Sequence, residues 1–351
     1  VALKRENHLE KKAYLVIMAG SYKLKDLSRM LNMSPSTVSK ALNDYPTISQ
    51  MTRDRVKELA RRVNYTPDPT AISFKRKKSF TIGVVIPNLL DHFYTIAVSG
   101  IEESAMANGY KAIVSQHYED VGREVEIAEM MARNRVDGLI VSISRETTDI
   151  LHFRQLEAEG IPVVYFVRRP GVDDVFHVTS NVYKGTADAV QFLLARGHRR
   201  IGHILGPASL QATRDRQDGY ADALRAHGIE LDDNLLVHSN LSEESTVNAV
   251  EQLSSLEVPP TAVIAFKDQL ALDAMLHLKR NRRDDPPMEF VGFGNLPLLK
   301  YLDNPPLATL EEQCATIGSR AAEMLMARIS DPEARMDDRS VSFDCRLLVL
   351  K

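Results

Sequence analysis

Residues 25–43 read KDLSRMLNMSPSTVSKALN, and this stretch decides how the front of the chain folds. Leu27 and Leu31 stand four apart, on one face of a helix. Asn32-Met33-Ser34 is a short polar break. Ser34 is a good N-cap, and Pro35 suits the first helical position, where no amide is needed. Val38, Ala41 and Leu42 give the apolar stripe of a second short helix ending near Asn43. A third helix fits from Ser49 or Thr52 to Val63, with Val56, Leu59, Ala60 and Val63 inward. Helix, tight turn, helix is the helix-turn-helix arrangement.

Tyr65-Thr66-Pro67-Asp68-Pro69 follows, and its prolines stop the third helix. Asp68 can cap a further short helix, TAISFKRK, that runs into the basic stretch Lys75–Lys78. A helix of two turns is marginal alone and is expected to fold only against a partner. Upstream, AYLVIMA (13–19) is apolar but far short of the roughly twenty residues a bilayer span needs, and reads as one buried helical turn. No small-residue cleavage site follows it at the usual distance. Residues 1–22 receive no functional reading.

At Phe80 the texture changes. Apolar runs of strand length appear at 81–87, 111–115, 138–143, 162–167, 200–206, 261–266 and 289–294. Helical segments lie between them, several closed by glycine: Gly109, Gly160, Gly197 and Gly228. Continuous Val/Ile runs mean strands buried on both faces, hence parallel sheets flanked by helices. So long an α/β region exceeds one comfortable sheet and predicts two doubly wound lobes. The expected organisation is an extension (1–22), a small all-α helix-turn-helix head (23–66), a hinge (67–79) and a two-lobed α/β core (80–351). The lobes are expected to divide as about 80–178 with 308–335, and about 179–307 with 336–351.

The formal charge of −3 over 351 residues is unevenly spread. Residues 23–79 carry 13 Lys/Arg against 5 Asp/Glu, and residues 80–351 carry 27 against 40. A basic head on an acidic body implies that only the head meets a polyanion. Cys314 and Cys345 have no metal-type spacing, which argues against a disulfide scaffold or a cysteine metal site and fits the cytoplasm. The ten His lack ligand spacing; His198 and His203 flank a strand and read as structural. No nucleophile-elbow, phosphate-loop or zinc-peptidase motif points to an enzyme. GFGNLP (292–297) follows a strand like a dinucleotide turn, but it lacks the third glycine and reads more simply as a glycine-lined strand end. An extracytoplasmic solute-binding protein would share the core but not the basic head.

Head and core together resemble the lactose-repressor/galactose-repressor (LacI/GalR) family. The resemblance rests on residues 25–43, TRDRV (52–56) and NYTPDPTA (64–71) in the head. In the core it rests on TIGVVIPN, RVDGLIV, RGHRRIGHILGP, PPTAVIAFKD and EFVGFGN, and it spans about 23–351. It implies a periplasmic-binding-protein-like core without cofactor or metal, and a homodimeric transcription regulator, most simply a repressor, on a palindromic operator. The second helix would enter the major groove. Pro35, Ser36 and Lys40 match its base-facing positions, Thr37, Ser39, Asn43 and Thr52 reach toward phosphates, and Ser34 belongs to the same DNA-binding set. A solvated helix surface is the plainer reading of any one Ser or Thr taken singly. In the hinge, Ala71 and Phe74 match the minor-groove element, with Phe74 where the family usually has a Leu wedge; packing on the core is the other reading of Phe74.

The same resemblance implies an effector between the lobes. The candidate loop after Pro87 holds Asn88, Asp91, Phe93 and Tyr94, with Phe93 or Tyr94 at the family's stacking aromatic; Arg216 and Asp268 match family positions at the cleft, and Arg168 is a further candidate contact. Asp268 fits equally well as a helix N-terminal carboxylate. Several positions depart from the family. Val167 and Gly294 stand where Asp is usual, Leu241 where an aromatic is usual, and Leu210 and Ala212 where purine-binding relatives are polar. With few acceptors and with Arg168, Arg216 and Arg214 remaining, the sequence leans toward an anionic effector, a sugar phosphate or sugar acid rather than a plain sugar. A pocket that has drifted and binds nothing is the alternative.

Overall fold

The computed structural model describes residues 22–66, 78–281, 288–331 and 339–351. The hinge helix, Ala71, Phe74 and nearly all of the N-terminal extension lie outside them. The chain divides between Ser79 and Phe80 into two compact units.

In the first unit, α1 (Leu24–Leu31), α2 (Pro35–Leu42) and α3 (Gln50–Arg62) bury Leu27, Leu31, Val38, Ala41, Val56 and Ala60 against one another. Local chemistry sets their ends. Ser34 Oγ accepts from the Thr37 amide at 3.1 Å with Pro35 at the first helical position, and Ser49 caps α3 through the Thr52 amide at 3.3 Å. Asn32, at the end of α1, takes the left-handed conformation (φ 52°), which Asn tolerates better than most residues.

The second unit holds two six-stranded sheets. The first has the order β11-β5-β4-β3-β1-β2 and is parallel throughout. The second has the order β12-β10-β9-β8-β6-β7 and is parallel except for β12 against β10. The first-sheet strands are β1 (Thr81–Ile86), β2 (Lys111–Gln116), β3 (Gly138–Val141), β4 (Val163–Phe166), β5 (Phe176–Asn181) and β11 (Ser340–Asp344). The second-sheet strands are β6 (Ile201–Leu205), β7 (Leu236–His238), β8 (Ala262–Ala265), β9 (Glu289–Phe293), β10 (Ala308–Glu311) and β12 (Arg346–Val349).

Each sheet is covered on both faces, as the apolar runs require. On β1, Ile82, Val84 and Ile86 face α4 (His92–Ala107) and α11 (Cys314–Ser330). Val85 faces α5 (Val121–Arg133) and α6 (Leu151–Ala158). In the second lobe, α7 (Val182–Ala195) and α8 (Gln211–Ala226) cover one face, and α9 (Glu243–Ser254) and α10 (Asp268–Asn281) the other. Each fully buried aliphatic contributes about 1.5–3 kcal/mol. Gly219 brings α8 onto α7: a Cβ there would lie 2.2 Å from the Tyr183 carbonyl oxygen.

The lobe divisions differ from the sequence expectation. The chain passes between sheets after Asn181, near Glu312-Gln313 and at Cys345, so β10 belongs to the second sheet and β11 to the first. The expected divisions at 307/308 and 335/336 are therefore corrected. Continuous apolar runs mark only strands buried on both faces. β11 alternates exposed and half-buried residues along a sheet edge, and β10 is four residues long, so neither announces its sheet. The three crossings are fastened together. Ser180 Oγ donates to the Glu312 carbonyl (3.1 Å), Asn181 Nδ2 to Asp344 Oδ1 (3.0 Å) and Gln313 Nε2 to the Asp344 carbonyl (2.7 Å).

Candidate functional site

On α2, the cap engages Ser34 and Thr37, whose hydroxyls lie 2.8 Å apart. Asn43 Nδ2 donates to the Ser39 carbonyl (2.7 Å), and the Thr52 hydroxyl meets Ser49 Oγ (2.9 Å). Pro35, Ser36 and Lys40 are exposed, and the Ser36, Ser39 and Lys40 side chains make no hydrogen bond among the described residues. By contrast Lys57 Nζ grips both oxygens of Asp44 at 2.6 Å, and Arg53 donates to the Asp44 carbonyl. The hydrogen bond and charge of Lys57 hold the Asp44 carboxyl below its ordinary value. The cations behind the loop thus serve the fold, while Lys40 is left to face outward.

In the core, the loops at the carboxyl ends of the strands gather the expected effector residues, but most are engaged. Asn88 Oδ1 accepts from the Leu90 amide (2.8 Å). Asp91 caps α4 through Oδ1 and the Phe93 amide (3.1 Å), and its Oδ2 pairs with Lys267 Nζ from the other lobe. Tyr94 is buried, its hydroxyl 2.8 Å from Ser142 Oγ, and burial pushes it up to about 12. Phe93 is half-buried and edge-on to Tyr94, with centroids 5.6 Å apart.

Arg168 forks onto Glu119, both bonds at 2.8 Å, and also donates to the Ile143 carbonyl (3.2 Å). Burial pushes Glu119 up, but the Arg168 hydrogen bonds and charge, with the Arg145 amide (2.9 Å), outweigh it and leave the carboxyl below its ordinary value. The backbone beside the pair is strained. Val167 has φ 63°, and the Arg168 amide reaches back to the Phe166 carbonyl at 2.6 Å, a three-residue turn of the rare hand. A branched side chain there costs about 1–3 kcal/mol. Next to Glu119, His117 is fully buried; its Nε2 donates to the Ser142 carbonyl (3.0 Å), while Nδ1 accepts the Glu119 amide (3.1 Å).

Arg216 is only 3% exposed. Its guanidinium lies between the rings of Phe266 and Phe293, 4.3 Å from each centroid. It donates to Glu312 Oε1 (3.2 Å) and the Ala212 carbonyl (3.3 Å). Asp268 is fully buried and accepts from Thr309 Oγ1 (2.8 Å) and the Leu296 amide (3.0 Å), and burial pushes its carboxyl up. It thus fastens α10 to the ends of β9 and β10. A Cβ on Gly292 would sit 2.2 Å from Asp268 Oδ1, so GFGNLP is a strand end shaped around this carboxylate. His198 bonds the Thr261 hydroxyl (2.9 Å), and burial holds the imidazole of His203 near 3.

Three residues that the sequence reading passed over complete the arrangement: Glu119, Lys267 and Glu312. Lys267 sits inside the quoted FKD beside the chosen Asp268. Glu119 follows β2 and Glu312 follows β10, a strand absent from the apolar runs in the sequence. Arg168, Arg216 and Arg214 are the cations that make an anionic effector the expectation from sequence. The first two already hold carboxylates, and exposed Arg214 donates to Gln211 Oε1 (2.9 Å) and the Ala208 carbonyl (3.0 Å). Among the described residues no group of three or more His, Cys, Asp or Glu is placed to hold a metal ion, and no helix is long and apolar enough to cross a membrane.

Residues 23–68 match the model of bacterial regulatory proteins of the lacI family, and residues 79–349 match that of periplasmic binding proteins and the sugar binding domain of the LacI family. The chain belongs to the LacI family. It is therefore a DNA-binding transcription regulator with a helix-turn-helix head and a periplasmic-binding-protein-like core. It is 31% identical to the HTH-type transcriptional repressor CytR of Escherichia coli (strain K12) over 329 residues, 93% of this chain and 94% of that protein. Among solved structures it resembles a transcriptional regulator CelR–cellobiose complex (25% identity, TM-score 0.69, covering 93% of this chain and 98% of that one). A lac repressor dimer bound to operator and the anti-inducer ONPF shares the fold at 23% identity (TM-score 0.81, covering 94% and 98%).

Proposed function

We propose that this LacI-family chain is a cytoplasmic, non-enzymatic repressor that works as a homodimer on a palindromic operator, governed by a neutral, hydroxyl-bearing effector between its two lobes. The observation that carries the DNA-reading half is the outward face of α2, where the Ser36, Ser39 and Lys40 side chains have no hydrogen-bond partner among the described residues. In the major groove Lys40 reaches guanine O6 or N7, and Pro35 and Ser36 abut neighbouring base edges. Ser34, Thr37, Asn43 and Thr52 place their remaining polar groups toward phosphates, which fix register without reading sequence. Two heads on a palindrome require two-fold symmetry. Ala71 and Phe74 of the hinge form the minor-groove element, with Phe74 as wedge.

The effector half draws on Asn88, Asp91, Phe93, Arg168 and Arg216 around the strand ends, with Tyr94 and Asp268 supporting them from the interior. The pairing of Arg168 with Glu119, Arg216 with Glu312 and Lys267 with Asp91 supports a neutral ligand. A charged ligand would take one member and leave the other unpaired, at about 1–3 kcal/mol or more. A hydroxyl both donates and accepts, so it satisfies both members. That the CelR relative is seen with cellobiose, a neutral sugar, agrees with this.

The test has two parts. Selection from a random DNA pool should enrich a palindrome. Melting of the full chain with neutral sugars and nucleosides against sugar phosphates and acids should give a shift with a neutral compound. At a hundred times its dissociation constant a ligand stabilises by about 2.7 kcal/mol. A shift with anions alone overturns the neutral reading, and silence throughout overturns the effector.

A further inference from the structure

Ligands of open parallel sheets sit beyond the carboxyl ends of the strands. Asp91 lies just past β1 in one lobe, and Lys267 directly past β8 in the other. Their side chains meet across 176 residues of sequence, 24% and 32% exposed respectively, with the chain's own atoms closing the gap. Asp91 is held at that place because its second oxygen caps α4. Behind the pair, Glu312 feels Arg216, Lys267, Asp91 and Asp268 together. Its carbonyl takes the Ser180 hydroxyl at the lobe crossings. Lys267 thus bonds the first-lobe loop through Asp91, and Glu312, paired with Arg216, stands at one of the lobe crossings.

We propose that Asp91 and Lys267 form an interlobe latch that sets lobe closure by itself, and that the effector regulates the protein by taking the latch's place. This rests on the effector reading above. A hydroxyl between the two accepts from Lys267 and donates to Asp91, so a direct bridge becomes a longer, ligand-mediated one. The lobes then settle at a different separation, and the shift is limited by the ligand's difference in affinity for the two separations. A pair this accessible is screened by salt, so ionic strength loosens the latch as well.

The test uses the full chain with spin labels at Met106→Cys and Val258→Cys, exposed positions on opposite lobes, diluted into unlabelled protein. The latch variants are Asp91→Asn, which keeps a capping side chain while removing the charge, Lys267→Gln, and the exchange Asp91→Lys with Lys267→Asp. Each single variant should shift the interlobe distance distribution and change operator affinity at least about fivefold, and the exchange should move both back toward the parent. Salt should shift the parent distribution in the same direction as the single variants, which tests the latch even where a variant folds poorly. Unchanged distances in both single variants, or in the parent from low to high salt, overturn the latch. Shifted distances with silence in the ligand panel uphold the latch and reject the effector reading instead. A ligand that binds parent and Lys267→Gln equally, and moves their lobes equally, overturns the claim that it replaces the pair.

Discussion

On α2 of the head, Ser36, Ser39 and Lys40 have no side-chain partner among the described residues, whereas at the strand ends of the core Arg168, Arg216 and Lys267 each hold a carboxylate of the same chain. The difference follows from what each region must meet. DNA is an extended polyanion of fixed geometry, so the head can leave donors unpaired in water at little cost and offer them ready-made. The effector proposed above would enter a partly buried space, where an unpaired charge is expensive, and there the core's groups hold one another.

The comparison predicts its largest effect at Arg216. Truncation to Ala leaves the largely enclosed Glu312 without its cation and removes the filling between Phe266 and Phe293. Breaking a buried pair this way costs about 3–5 kcal/mol, so urea unfolding of Arg216→Ala should show the core destabilised by that order. Lys at the same position keeps the charge but loses the planar fork and the stacking, and should recover only part of it. If Arg216→Ala instead unfolds like the parent and loses only a ligand response, Arg216 belongs with the displayed residues of α2 and the contrast collapses.

Lys40→Ala should do the reverse. Lys40 is exposed and its side chain has no hydrogen-bond or ion-pair partner among the described residues, so stability should stay within about 0.5 kcal/mol of the parent. Affinity for the selected operator should fall by about 1–3 kcal/mol, the worth of a good base contact, with a smaller change on random DNA. Titration against both DNAs reads this directly, and equal losses on the two would make Lys40 a phosphate contact instead.

The same contrast explains what the sequence could disclose. In the head, function and fold are local. Ser34, Pro35 and Thr37 make the cap within four residues, and the free face is whatever the stripe Val38, Ala41 leaves outside. The central strands were equally legible, because burial on both faces writes an unbroken apolar run. β7 and β11 lie at sheet edges, β5 reads FHVTSN, and all three mix polar with apolar residues and left no such mark. The cleft was readable only in part because its partners are distant in sequence. Arg168 meets Glu119 across 49 residues, Arg216 meets Glu312 across 96, and Asp91 meets Lys267 across 176. Which carboxylate neutralises which cation is decided by strand order, and the crossings at Glu312 and Cys345 were placed wrongly. A reading that saw the arginines without their partners therefore inferred an anionic ligand.

The smallest effect expected concerns acid, and it separates two kinds of cleft carboxylate. Glu119 is held below its ordinary value, so its contribution to stability is fully present above the unfolded value near 4.5 and is lost as pH falls through its lower folded value. Glu312 and Asp268 are pushed up by burial, so the folded chain binds more protons than the unfolded one between their two values. Their contribution therefore runs the other way, and stability falls as pH rises through that window. Glu119→Gln should remove part of the destabilisation seen on acidification below about 4.5, at the price of a lower plateau at neutral pH where the Arg168 fork is lost. Melting temperatures of parent and variant between pH 3 and 7 would show the two curves converging toward the acid end. Parallel curves would mean that Arg168 does not favour the Glu119 carboxylate over its protonated form, and that the first lobe's cation is as available to a ligand as Lys40 is to DNA.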